Sequence, residues 1–255
     1  MSIDRRRFLT RLAAGAGGLA LGGCDRIAET APGQGVLQSV EKLTLRAQRS
    51  AIGQALAREY SAADISKVFK ANGTTNPEEE DYKALAAADF ADWKLEIGGL
   101  VEHPASLSLV DLRALPARSQ ITRHDCVEGW SCIGQWKGVP LGGLLAKAVL
   151  KPEARFIVFH CADSLEATLD GSGVYYESID LDDAVHPQTI LAYEMNGAPL
   201  AIAHGAPLRL RVERQLGYKQ AKYLMQIEAV ENFAGIGRGR GSYWADRGYE
   251  WYAGI

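Results

Sequence analysis

The sequence predicts an α+β fold, a domain of mixed β-sheets carrying a few short helices. Three observations predict it. From Trp93 onward, short runs alternate apolar and polar residues with the period of half-buried strands. Turn signals such as Asn196-Gly197 separate those runs, and the helical stretches between them are brief. No internal repeat, low-complexity block, G-x-G-x-x-G or phosphate-binding loop is present, so nucleotide-binding α/β folds are disfavoured.

In chain order, residues 25–35 are small and polar and read as a tether. Val36, Leu37, Val40, Leu43 and Ala47 then mark one face of a helix running from 36 to about 60. NGTTNP (72–77) breaks that pattern as a loop. Trp93, Leu95 and Ile97 alternate with Lys94 and Glu96 as a strand, and Ser108 opens a short helix over 109–115 that Pro116 stops. A strand is expected just ahead of Cys126, an apolar helix over 140–149 and a buried strand over 155–160. A helical turn follows at 180–185, then strands at 189–195, 208–212 and 223–230. Arg238-Gly-Arg-Gly reads as a mobile glycine-rich loop, and the final SYWADRGYEWYAGI is too aromatic for a free tail, so it is expected to pack on the domain.

The first 23 residues stand apart from this fold. Their apolar run, 12–21, is too short for a bilayer-spanning helix, which needs about 20 apolar residues. Arg5-Arg6-Arg7 followed by Phe8-Leu9 resembles a twin-arginine export signal. Leu21-Gly22-Gly23-Cys24 resembles a lipoprotein processing box, which would make Cys24 the acylated first residue and a lipid anchor; ordinary cleavage is the alternative. Asp25 fits retention at the inner membrane, so a periplasmic location is expected. The expected order is a signal over 1–23, a tether and N-terminal helix over 24–64, and one functional domain over 65–255. Without residues 1–23, which hold four arginines and one aspartate, the formal charge moves from -3 to -6. A mildly acidic chain offers no electrostatic footprint for nucleic acid.

Two stretches carry candidate chemistry. HDCVEGWSCIGQWKGVP (124–140) concentrates histidine, two cysteines, two tryptophans and two acids. Cys126 reads as core packing, as a soft-metal thiolate, as a disulfide partner of Cys132, or as part of a zinc clip with His124, Cys132, His160 and Cys161. After Cys24 the chain holds three cysteines, an odd number that leaves at least one unpaired or ligating. The second stretch, HGAPLRLRVERQLGYK (204–219), combines glycines that allow close backbone approach with basic donors suited to phosphate. Its alternating Arg209, Arg211 and Arg214 read equally well as a solvated strand face.

Taken together, CVEGW, GAPLRL and GYK resemble the sulfite oxidase superfamily of molybdopterin enzymes. DWKLEIGGLVEHPASLSLVDLRALP resembles the family's lead-in strand and helix. The likeness spans about residues 65–231 and is greatest to the exported, haem-free bacterial branch, which includes catalytic subunits of periplasmic protein-methionine-sulfoxide reductases. It implies a sulfite-oxidase-type fold over 65–255 without the C-terminal immunoglobulin-like dimerisation domain of some members, and hence a monomer. It also implies a mononuclear molybdenum–molybdopterin cofactor. Position by position, Cys126 would be the thiolate ligand to molybdenum and Glu128 would face the substrate. Asn72, Cys161, His204, Arg209, Gly217, Tyr218 and Lys219 would contact the cofactor, Arg209 at its phosphate. His204 stands where asparagine is common and Cys161 where a neighbouring member has threonine.

The implied activity is oxygen-atom transfer. Sulfite-oxidising members place arginine after the cysteine segment, where this chain has Glu128 and Trp130, and a carboxylate there repels a sulfite dianion. A neutral S-oxide such as methionine sulfoxide, small or within an oxidised protein, is therefore the expected substrate. A structural hydrogen bond is the alternative role for Glu128. Trp244 is a candidate pocket wall, whereas Trp130, Trp136 and Trp251 read as core or rim. No C-x-x-C-H haem site occurs, so electrons are expected from a membrane haem subunit or a cytochrome. Sulfite dehydrogenase and a cofactor-free exported binding lipoprotein are the competing functions.

Overall fold

The computed structural model describes residues 30–255; the arginine-rich start, the processing box and Cys24 lie outside them. The chain divides into two compact units after Gly53. In the first, α1 (Ala31–Ile52) forms one helix that ends well before residue 60. The second, Gln54–Ile255, begins ahead of residue 65, because Glu59 bridges to Thr122 and the Gln188 side chain bonds both Ala57 N–H and its carbonyl.

Two five-stranded sheets and four short α-helices build that second unit. α2 (Glu80–Ala87) precedes β1 (Lys94–Gly99) and β2 (Ala105–Ser108). α3 (Leu109–Arg113) starts where Ser108 Oγ accepts a hydrogen bond from Asp111 N–H at 3.2 Å and the Asp111 carboxylate answers at the Ser108 backbone. β3 (Arg118–Asp125) and β4 (Ser131–Pro140) form a hairpin, and α4 (Leu141–Ala148) buries Leu141, Leu144 and Leu145. Each of those leucines contributes about 1.5–3 kcal/mol of burial. β5 (Phe156–Ser164) and β6 (Val174–Asp180) pair, and α5 (Leu181–Ala184) follows under an Asp180 cap. β7 (Ile190–Met195) turns through Asn196 and Gly197, at φ 51° and 80°, into β8 (Ala198–Pro199). β9 (Arg209–Arg211) and β10 (Leu224–Val230) complete the set.

The first sheet runs β3-β4-β7-β8, with β9 also paired to β7. The second runs β2-β1-β10-β5-β6 and is mixed: β1 and β10 are parallel, the remaining neighbours antiparallel. One apolar core draws on both sheets, joining Leu95, Phe159 and Ile227 to Val139, Leu191 and Leu210. The solvated-face reading of the arginines does not hold. Arg209, Arg211 and Arg214 are all buried. The first two guanidiniums lie against the buried Trp136 ring, at 4.9 and 4.3 Å from its centroid.

The C-terminal stretch packs as its aromatic content requires, with Trp251 against Phe156 and Phe233. The glycine-rich loop before it is held by Asp246, whose carboxylate accepts from Arg238 N–H at 2.8 Å and Arg240 N–H at 3.1 Å.

Candidate functional site

The β3–β4 turn presents Cys126. Cys126 N–H donates to the Trp130 carbonyl at 2.9 Å, Gly129 N–H returns to the Cys126 carbonyl at 3.0 Å, and Gly129 closes the turn at φ 84°. The thiol opens on a cavity of about 180 Å³. Asn72 and Thr74, the 126–128 turn, Asp163, the 217–222 segment and Trp244 all contribute to its lining. Cys126, Cys132 and Cys161 are free, which removes the disulfide. No group of three or more His, Cys, Asp or Glu side chains converges among the described residues, so a zinc clip has no ligand set there. Burial pushes the Cys126 thiol up from its ordinary value.

Glu128 sits exposed at the rim, where its carboxylate accepts from Trp130 Nε1–H at 2.9 Å and lies 3.6 Å from Lys70 Nζ. The indole bond and the lysine charge hold its carboxyl below the usual range, so it is ionised. Its hydrogen-bond partner is thus a tryptophan side chain.

The cavity's buried cation is Lys222, which the sequence reading did not single out. Its ammonium donates to the carbonyls of Asn72 at 2.7 Å, Ala203 at 3.2 Å and Thr74. Burial and the neighbouring Arg209 charge push it down to about 7. Arg209, 1% exposed, lies behind it and donates to the carbonyls of His204 at 2.9 Å and Gln220 at 3.3 Å. Burial and Arg211 lower Arg209 to about 9; its Nε has no partner, and it has no ion-pair partner among the described residues. Asp163, 3% exposed, faces the same cavity, raised to about 6 by burial, with Oδ1 unpartnered.

Among the residues expected from sequence, Asn72, Cys126, Glu128, Gly217 and Tyr218 line the cavity together. Gly217 is required by close approach, since a Cβ there would fall 2.5 Å from His124 Nε2. Tyr218 is fixed at both ends: its hydroxyl donates to the Glu250 carbonyl at 2.9 Å, and its own carbonyl accepts from Tyr175. His204 does not line the cavity; it stands edge-on to Phe69 at 5.7 Å and supports Arg209 through its carbonyl. Cys161 is buried on β5, two residues before Asp163. Lys219 does not line the cavity; it forms a fully buried ion pair with Glu177. The only clue to Lys222 was a second lysine three residues after Lys219 in GYKQAK.

These donors fit a phosphate-bearing, sulfur-coordinating cofactor. The hydrogen bonds of Lys222 and Arg209 all go to neutral carbonyls, and among the described residues only Asp163 opposes the Lys222 charge in the cavity. The pair therefore suits an anionic group, and one thiol faces the same space as Lys222.

Comparison with known proteins agrees. Residues 82–234 match the family described as oxidoreductase molybdopterin binding domain. A putative protein-methionine-sulfoxide reductase subunit YedZ1 of Azospira oryzae is 36% identical over 78% of this chain and 68% of its own length. The protein-methionine-sulfoxide reductase catalytic subunit MsrP of Xanthomonas axonopodis is 37% identical over 58% of this chain, which spans about half, 48%, of that subunit. Among solved structures, the sulfane dehydrogenase SoxCD from Paracoccus pantotrophus matches with a TM-score of 0.48 at 26% identity, over 55% of this chain and 38% of that one. The family match over more than half the chain, on a site with one cavity-facing thiol and two buried cations, establishes that this chain belongs to the molybdopterin-binding oxidoreductases.

Proposed function

We propose that this chain is the catalytic part of an exported mononuclear molybdenum–molybdopterin enzyme that reduces a neutral S-oxide, with methionine sulfoxide as the representative substrate. The carrying observation is the Cys126 thiol, which opens on a cavity that Lys222 also lines, with the Arg209 charge close to that lysine and an ionised Glu128 at the rim. The names of two relatives, both protein-methionine-sulfoxide reductase subunits, support the substrate class.

The bound metal centre would supply oxygen-atom transfer. The chain's own residues do the rest. Cys126 would give up its thiol proton on ligating molybdenum, and its raised pKa makes that loss depend on the metal. Arg209 and Lys222 would hold the cofactor's phosphate. Asn72 and Thr74, whose carbonyls fix the Lys222 ammonium, set its position. At the mouth the Glu128 carboxylate balances Lys70, so no net positive charge gathers a sulfite dianion there, and an uncharged S-oxide needs none. Electrons would come from a haem-carrying membrane subunit or a cytochrome. Export by the twin-arginine route and anchoring at Cys24 complete the proposal, on the strength of RRRFL and LGGC.

Metal analysis of protein made in a molybdopterin-competent host tests the site. The expected result is about one molybdenum per chain, lost in a folded Cys126→Ser variant; unchanged molybdenum in that variant would overturn the assignment. Steady-state assays should show reduction of methionine sulfoxide. Efficient oxidation of sulfite in its place would reverse the proposed direction.

A further inference from the structure

The roles of Cys126, Lys222 and Glu128 leave one wall of the cavity without an assignment. Trp244 and Tyr249 form it, and both lie beyond residue 234, where the family match stops. We propose that these two residues determine substrate selectivity by receiving the hydrocarbon arm of an organic S-oxide, favouring an aryl or longer alkyl substituent over methyl. The inference rests on the S-oxide reading above and specifies the class of S-oxide.

The two rings are 5.0 Å apart, inclined at 41°, and Tyr249 stands edge-on to Tyr218 at 5.4 Å. Trp244 is in turn edge-on to the buried Tyr243 at 5.2 Å. This arrangement is built in advance of any ligand. Gly248, at φ 96°, reverses the chain so that Tyr249 N–H reaches the Trp244 carbonyl at 3.0 Å. The segment is then stitched down by Tyr218 Oη–H to the Glu250 carbonyl at 2.9 Å and by Leu216 N–H to the Ala253 carbonyl at 2.9 Å. Upstream, Tyr176 donates to the Asp246 carboxylate at 2.6 Å. Rings fixed in this way lose little freedom when they bind an apolar group.

An organic S-oxide carries one polar S=O group and two hydrocarbon substituents. The polar groups of the cavity suit the first, and a pre-formed aromatic wall suits a flat or extended hydrocarbon through dispersion and ring–ring contact. A small inorganic oxyanion has no such arm and gains nothing from the wall.

The test uses molybdenum-loaded enzyme and compares methyl phenyl sulfoxide with dimethyl sulfoxide for the parent, Trp244→Ala, Trp244→Phe and Tyr249→Ala. Both alanine variants should lower the ratio of kcat/KM, aryl over dimethyl, by about tenfold, the worth of one aromatic contact. The change should fall mainly on KM, and Trp244→Phe should keep most of the preference. Calorimetric titration with methyl phenyl sulfone, which is not reduced, should show the same loss of affinity without any turnover. An unchanged ratio, or sulfone affinity equal in parent and alanine variants, would overturn the proposal. Turnover of sulfite with no sulfoxide reduction would sink the functional reading instead, and the sulfone titration would still decide the wall.

Discussion

Asp163 and Lys219 show what burial does to single charges in this protein. The Asp163 carboxyl, at about 6, lies above its ordinary 3.8, so the folded chain holds that proton more tightly than the unfolded one. Its contribution to stability is present below about pH 4 and is lost as pH rises through 6. Above pH 6 the ionised group costs on the order of 3 kcal/mol. Cofactor-free Asp163→Asn should therefore melt at higher temperature than the parent at pH 7.5, with the difference gone by pH 4; an equal gain at both pH values would rule out the carboxylate as the cause. Lys219 behaves differently because it is in direct contact with an opposite charge. Lys219→Ala strands Glu177, a fully buried acid already raised to about 7 by desolvation, and should destabilise the fold by roughly 3–5 kcal/mol. Adding Glu177→Gln should recover part of that loss in a thermal melt.

At the scale of elements, the β3–β4 hairpin and β7 decide where the thiol sits. Gly138 lies at the irregularity in the β4–β7 pairing, and a Cβ there would fall 2.0 Å from the Leu191 carbonyl oxygen. Gly138→Ala must push the two strands apart, and we expect a loss of about 3 kcal/mol or more with molybdenum content falling alongside it. A variant with parent-like melting would show that the strands absorb the methyl. The sequence made some elements legible and hid others for a physical reason. β1, α3 and the Asn196-Gly197 turn were readable because alternation, a capping serine and a glycine turn are local signals. β6 was not, because VYYESID is buried on both faces and the charge of Glu177 within it is matched by Lys219 on a distant turn. The cavity side of GYKQAK was equally hidden. Whether Lys219 or Lys222 reaches the cavity depends on the 3-10 turn Gly217–Lys219, which spacing alone does not specify. Cys126, Glu128 and Asn72 were found through family likeness, and Asp163 lacked any local mark.

Across the whole molecule, the two sheets meet in one core and the cavity gathers segments from both halves of the domain, from Asn72 to Tyr249. The middle strand of the second sheet, β10, is the last strand in sequence and runs between β1 and β5. Its parallel pairing with β1 joins residue 96 to residue 226. During synthesis, β1–β2 and β5–β6 must therefore wait as two separate hairpins, each with an open edge where β10 will lie. Segment 217–222 likewise has no anchored strand to lead into until 224–230 emerges. Ribosome-stalled chains should stay protease-sensitive while residue 230 is still in the exit tunnel and become protected once it has cleared; earlier protection would contradict this order. The second sheet of the nascent chain would thus stay open to chaperones and proteases until β10 emerges, and cofactor insertion would follow its closure. For an enzyme exported already folded, as proposed, loading would then belong to a short interval in the cytoplasm between release from the ribosome and delivery to the export machinery.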